Sequence, residues 1–316
     1  MLKYLIIVID KASPSYCHYS VPNNEHELMD IDILKKAIRF AMVENLNVQY
    51  VLPQYSLPKA YSELIGSYKG TKISSCYDDV NAEILVVDNP YKLPQKYSPK
   101  AAYVIRVNRD SFKDTYESIM AFASKVQKVN IVFSDVDNFD SNSLIQYSAI
   151  LEHSAEIIKR KYVFGQTPQI NLLTDRILLD KMNNCNAGCE SVAVCPDGKF
   201  YACPAFYYDE SGFNIGDLEH GIAILNSQLY RLDHAPLCRK CDAYQCKRCI
   251  WLNCTLTNEV GIPSAQQCKM AHIERNASRK LLQDIKNIDT FFEKKDIPAI
   301  DYLDPLEVKL KKGKNI

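Results

Sequence analysis

The chain has 316 residues, 47% of them apolar, with 38 Lys and Arg against 38 Asp and Glu. That length allows two domains or one large one with a sizeable core, and the balanced charge gives no reason to expect a nucleic-acid partner or an anionic membrane surface. No run approaches the roughly 20 apolar residues that span a bilayer; the apolar start from Leu5 to Ile9 is too short, and lacks the small-residue cleavage site of a signal peptide, so a cytoplasmic protein is expected.

In chain order, strands are expected at Tyr4–Ile9, Val48–Leu52, Ile84–Asp88, Tyr103–Val107 and Val129–Phe133, with a short one near Gln169–Leu173. These runs are rich in Val, Ile and Tyr and alternate little, as strands covered on both faces do. Between them lie helical patterns. Leu34, Ala37, Ile38, Ala41 and Met42 share one face of residues 33–45; Phe112, Tyr116, Ile119 and Ala123 share one of 111–126; Leu144, Tyr147, Leu151 and Ile158 share one of 141–161. Strands alternating with helices predict an α/β fold with a mostly parallel sheet, either open or a partial (β/α) barrel.

After about residue 182 the composition shifts to cysteine, glycine and aromatics, so residues 1–182 and 183–290 are expected as an α/β domain and a small cysteine-rich one. Such regions bury too little apolar surface and use metals as cross-links. A last helix is signalled at Ser264–Ile288, where Pro263 precedes a capping box of Ser264 and Gln267 and Leu281, Leu282 and Ile285 form an apolar face. Residues 291–316 are read as a tail, of which Glu307–Ile316 carries four lysines and one glycine and is expected to be solvated.

The cysteines carry the chemistry. There are twelve, and ten of them fall between residues 185 and 268. Disulfides are rare in a reducing compartment, so clustered thiols there point to metal ligands. The first group holds Cys185, Cys189, Cys195 and Cys203. Its Pro196-Asp197-Gly198 reads as a tight turn and Phe200-Tyr201 as a returning strand, a hairpin that carries Cys203 back towards Cys185. The second group holds Cys238, Cys241, Cys246, Cys249 and Cys254, with two C-x-x-C pairs four residues apart. Cys268 falls in the first turn of the capped helix, where the dipole favours a thiolate, and His272, four residues on, is a further candidate ligand. Cys189, Cys195 and Cys254 are spare thiols as readily as ligands, and Cys17 and Cys76 read as ordinary small buried residues. Both zinc and iron–sulfur clusters accept four cysteines. The close spacing of the two pairs, against roughly 15–20 intervening residues in a zinc ribbon, favours iron–sulfur, with zinc as the alternative.

The order Cys185, Gly198, Cys203, then Cys238-x-x-Cys241, Cys246, Cys249, then Cys268 resembles the seven-cysteine SPASM domain, although the usual x2, x5, x3 spacing of its third to sixth cysteines is x2, x4, x2 here. The stretches Cys185–Gly188, Pro196–Tyr201, Cys203–Asp209, Cys241–Cys249, Trp251–Asn253 and Pro263–Arg279 are similar to the CXXX repeat peptide maturase family. The resemblance covers roughly residues 180–285. It implies auxiliary iron–sulfur clusters, one on Cys238, Cys241, Cys246 and Cys268 and another on Cys185, Cys203 and Cys249, behind a radical-SAM-like front half. It also implies a cysteine-repeat precursor peptide and a radical SAM partner enzyme. The C-x3-C-x2-C motif that a radical SAM enzyme carries after its first strand is missing, since Lys11–Asn24 offers only Cys17. The expected role is therefore peptide binding or electron relay beside that partner, against the alternative of a zinc-stabilised interaction module. Phe206, Tyr207, Tyr208, Tyr244 and Trp251 are candidate peptide contacts or packing around the metal. Asp10, Asp88 and Asp135 stand at strand ends, where α/β active sites lie and where aspartates also cap the next helix.

Overall fold

The computed structural model describes residues 2–21, 25–76, 82–209 and 212–308. In chain order the first elements are β1 (Tyr4–Val8), α1 (Ile31–Val43), β2 (Asn47–Val51), α2 (Lys59–Ser67), β3 (Gly70–Ser74) and β4 (Ile84–Val87). They are followed by β5 (Ala102–Val107), α3 (Arg109–Ala123), β6 (Lys128–Phe133), α4 (Ser141–Val163) and α5 (Asp175–Leu178). Then come β7 (Ser191–Val194), β8 (Phe200–Tyr201), α6 (Ala205–Tyr208), β9 (Gly216–Asp217) and β10 (Gly221–Ile222), and last α7 (Ile250–Thr257), α8 (Ala265–Ile285) and α9 (Thr290–Glu293). The fold is α/β and the strand pairing is mostly parallel, as the alternation implies. No helix among the described residues is long and apolar enough to cross a membrane.

The packing units cut across the division by cysteine content. One unit joins Met1–Val87 with Cys185–Ala235, and the other joins Asp88–Asn184 with Pro236–Ile316. The reason lies in strand pairing, because β7 leaves the cysteine-rich stretch to run beside the first strand of the chain.

In the first unit the strand order is β4-β3-β2-β1-β7-β8. β1 is parallel to β2 on one side and to β7 on the other, which is why Leu5, Ile6, Ile7 and Val8 are all buried and show no alternation. α1 is capped by Asp30, whose carboxylate accepts from the Asp32 N–H, and it buries Leu34, Ala37, Ile38 and Ala41. Met42, expected on that face, is 59% exposed, because one step past Ala41 turns a side chain about 100° out of the stripe. β3 escaped the expectation, since Gly70-Thr-Lys-Ile-Ser74 is largely polar and half-exposed at one end. The expected hairpin is present. β8 returns antiparallel to β7, pairing Ala193 with Tyr201 and Val194 with Phe200. Its turn is closed by the Gly198 N–H donating to the Cys195 carbonyl at 2.9 Å, with Gly198 at φ +75°. The β9–β10 ribbon needs a glycine at 216, where φ is +119° and a Cβ would lie 2.0 Å from the Gly221 carbonyl oxygen.

In the second unit β5 and β6 pair in parallel over their full length. α3 begins with a reciprocal capping box between Asn108 and Ser111, and Asp140 caps α4 through the Ser143 N–H. Phe112, Phe133, Phe139 and Tyr147 meet edge to face between β6, α3 and α4. The strand expected near Gln169–Leu173 shrinks to one parallel bridge between Val129 and Ile170. There the side chain of Asn171 takes the ladder positions itself: its Oδ1 accepts from the Ile131 N–H at 2.8 Å and its Nδ2 donates to the Ile131 carbonyl at 2.9 Å. The Thr174 hydroxyl then bonds both backbone groups of Ile170 and turns the chain. α8 has the predicted start, with Ser264 Oγ accepting from the Gln267 N–H, and it buries Leu281, Leu282 and Ile285 as expected. Beyond it, Phe292, Ile297 and Asp304 are buried, so the packed part of the chain runs past residue 290. Most of the expected solvated tail, residues 309–316, lies outside the described residues.

Candidate metal centres

The second unit gathers Cys238, Cys241, Cys246 and Cys268. Cys238–Lys240 form one 3-10 turn, closed by the Cys241 N–H donating to the Cys238 carbonyl at 3.0 Å. From Cys241 the backbone folds so that the Ala243 N–H donates to Cys241 Sγ at 3.5 Å. The same two-residue step recurs at Cys246, whose sulfur accepts from the Arg248 N–H; Arg248 has a left-handed φ of +44°. α8 brings Cys268 to the other three. The Cys268 thiol is pushed up far above its usual range, first by burial and then by Cys246, Cys238 and Cys241 beside it. Burial, followed by Cys238 and Cys241, does the same to Cys246. Crowded thiols with raised proton affinity resist ionising unless a cation joins them, and a bound metal would deprotonate them.

The ground beneath this group is ionic and hydrogen-bonded. Asp242 accepts from fully buried Arg275, Nε to Oδ1 at 2.7 Å and Nη2 to Oδ2 at 2.6 Å, and from Arg176 at 3.2 Å. The Arg176 guanidinium also lies 4.3 Å from the centre of the Tyr244 ring. Both cations favour the charged form of Cys241 and so work against the burial that raises its thiol. Gln245 donates to the Ala271 carbonyl at 2.6 Å and to Glu274, which also accepts from the Tyr147 hydroxyl at 2.8 Å. Burial pushes Glu274 up to about 7. His272 is buried on α8 with its Nε2 3.5 Å from Cys241 Sγ, while Nδ1 lies 2.7 Å from the Leu303 carbonyl. A carbonyl only accepts, so Nδ1 carries the hydrogen and Nε2 presents its lone pair to the sulfur.

The first unit gathers Cys185 and Cys203. Cys203 accepts from the backbone N–H groups of Ala205 and Phe206, and its thiol is raised by burial, then by Cys185 and Cys17. Cys185 is exposed, and its carbonyl accepts from Ser191 Oγ at 3.0 Å at the head of β7. The chain leaves Cys185 through a tight turn, with Gly188 at φ +73°, where a Cβ would lie 2.4 Å from the Tyr230 ring. Cys195 is fully buried at the hairpin turn, raised by burial, then by Asp197 and Cys203. Cys189 stands on another side, close enough to strengthen the protons of Lys3 and Arg231. Cys249, grouped by resemblance with Cys185 and Cys203, is buried in the other unit. Cys254 lies on α7, where Glu259 is its charged neighbour.

Most of the candidate aromatics are packing. Phe206 and Tyr208 are buried, and Tyr207 meets Tyr201 and Tyr208 edge to face. The strand-end acids hold backbone and partners. Asp10 accepts from the Ala12 N–H and the Tyr55 hydroxyl, both at 2.6 Å. Asp135 caps α3 through the Arg109 N–H, and Asp88 pairs with Arg106.

No protein-family model and no curated protein matches the sequence. Among solved structures, anSMEcpe with bound AdoMet aligns with a TM-score of 0.61 and 14% identity, covering 92% of this chain and 97% of that one. anSMEcpe with AdoMet and the Cp18Cys peptide aligns with a TM-score of 0.60 and 15% identity, covering 90% and 100%. SuiB of Streptococcus suis bound to precursor peptide SuiA gives 0.48 and 9%, covering 83% and 75%. The likeness to anSMEcpe is one of fold, an α/β chain aligned over nearly its whole length. On that frame this chain sets two groups of cysteines, one in each unit.

Proposed function

We propose that this chain is an iron–sulfur protein that acts in the maturation of a ribosomally made cysteine-repeat peptide, binding that peptide or relaying electrons for a radical SAM partner enzyme. The observation that carries the reading is the four-thiol group of Cys238, Cys241, Cys246 and Cys268, with backbone N–H groups already aimed at two of its sulfurs. Hydrogen bonds to cysteine sulfur are what iron–sulfur sites use to set their potential. The donor set suits a cluster with four thiolates, and Arg275 and Arg176 offset part of the negative charge the thiolates bring.

When bound, a cluster at these residues supplies one-electron transfer. The chain's own contribution is to hold the four sulfurs, keep them from water and direct N–H groups at Cys241 and Cys246. Cys185 and Cys203 belong to a second centre on the same reasoning. The peptide reading draws on the family resemblance, and the anSMEcpe structure with Cp18Cys is consistent with it as a fold that has been solved with a peptide. The missing C-x3-C-x2-C motif argues that a partner generates any radical.

The test is purification without oxygen, followed by iron, sulfide and zinc analysis and an absorption spectrum. Iron and acid-labile sulfide with broad absorption near roughly 400 nm are expected. Stoichiometric zinc without iron would sink the proposal and favour a zinc-stabilised interaction module. The protein alone, under reduction, should not cleave S-adenosylmethionine.

A further inference from the structure

We propose that Cys17, in the loop that follows β1, is a ligand of the same metal centre as Cys185 and Cys203. This deepens the reading above, since it presumes that those cysteines bind metal. The resemblance leaves that set with three thiolates, whereas a cluster takes four. Cys17 stands outside the cysteine-rich stretch by 168 residues of sequence, and only the fold brings it in.

The loop is built to present it. Ser15, almost fully buried, directs its hydroxyl to the carbonyls of Tyr19 at 2.5 Å and Cys17 at 3.2 Å, which ties residues 15–19 into one compact turn. Tyr19 is 2% exposed and stacks on Tyr208, with ring centroids 5.3 Å apart and planes at 14°. Tyr208 is the last residue of α6, the short helix that starts two residues after Cys203. The turn bearing Cys17 is therefore laid directly on the segment bearing Cys203, and aromatic stacking holds the two together.

Cys17, two residues before Tyr19, is thereby carried with its turn against the segment that starts at Cys203. Cys195, the other thiol of the hairpin, is instead fully buried at the turn, where its carbonyl accepts from the Gly198 N–H.

The test compares anaerobically purified wild type with Cys17→Ser, Cys195→Ser and Cys238→Ser. Iron, sulfide and zinc are measured per chain, and the electron paramagnetic resonance of the reduced protein is recorded. Cys17→Ser should lose about half of the iron, or shift the resonance of one of two clusters, while Cys195→Ser matches wild type. Should Cys17→Ser fail to fold, the wild-type protein itself decides. Cys17 should resist iodoacetamide in the loaded protein and react once a chelator has stripped the metal, read by mass spectrometry. Unchanged metal content and resonance in a folded Cys17→Ser, or equal alkylation of Cys17 before and after stripping, would overturn this inference and leave the proposed function standing. A wild-type protein that holds no metal at all would overturn both.

Discussion

The two groups of cysteines are supported in different ways. In the second unit the thiols rest on irregular backbone between two 3-10 or helical turns, and what surrounds them is polar: Asp242 with two arginines, Gln245 with Glu274, His272 with the Leu303 carbonyl. In the first unit the thiols flank a hairpin whose first strand, β7, is already paired to β1. Under the proposed function, metal would be a cross-link for the second unit's segment 236–250 and a passenger on the first unit's sheet, because few backbone ladders would hold the former without it.

The largest expected effect tests this directly. Cys246→Ser should lower the thermal midpoint more than Cys185→Ser, with similar losses of iron, read by scanning calorimetry and metal analysis. Equal shifts would break the comparison. Next comes the ionic floor. Asp242→Ala leaves Arg275 and Arg176 buried without their carboxylate, and a broken buried pair costs about 3–5 kcal/mol; urea unfolding should show a loss near the lower figure, since Asp242 is partly exposed. Loss of iron in this variant along with stability would sharpen the point that this floor positions Cys241.

A smaller effect should appear in the pH dependence. Glu274 is held at about 7 against an ordinary 4.5, so the folded chain binds that proton more tightly than the unfolded one. Between those values the folded state carries more protons, and its stability falls as pH rises through the window. Glu274→Gln removes the titration. Its stability should be flatter from pH 4.5 to 7 and should exceed that of wild type above pH 7, by chemical denaturation across pH. A wild-type slope retained in the variant would assign the effect to another group. The smallest change is expected from Ser264→Ala, which removes the cap of α8 and should cost about 1 kcal/mol. A larger loss, accompanied by loss of iron, would show that the cap also positions Cys268.

Much of the frame was legible because it depends on local pattern. The buried runs at Leu5–Val8 and in β5, the stripe of α1 and the Ser264 cap are written in spacing alone. The misses share a cause. β7 is only Ser-Val-Ala-Val between cysteines, too short for a periodicity to show. The segment at Gln169–Leu173 has strand composition, yet the Asn171 amide stands in for backbone and ends the ladder. In both cases a single long-range partner outweighs the local preference.

By itself the sequence determined that this is an α/β chain with ten of its twelve cysteines between residues 185 and 268, and that Pro196-Asp197-Gly198 would fold a hairpin beside Cys203. Those conclusions rest on interactions between residues close in the chain. The resemblance already grouped Cys268 with Cys238, Cys241 and Cys246, and α8 carries it in the second unit with them. What only the tertiary structure decided is the place of residue 17. The turn bearing Cys17 lies against the segment that follows Cys203 because Tyr19 stacks on Tyr208. A ligand set is a matter of ångströms between sulfurs, and the distance along the chain that separates them carries no record of it.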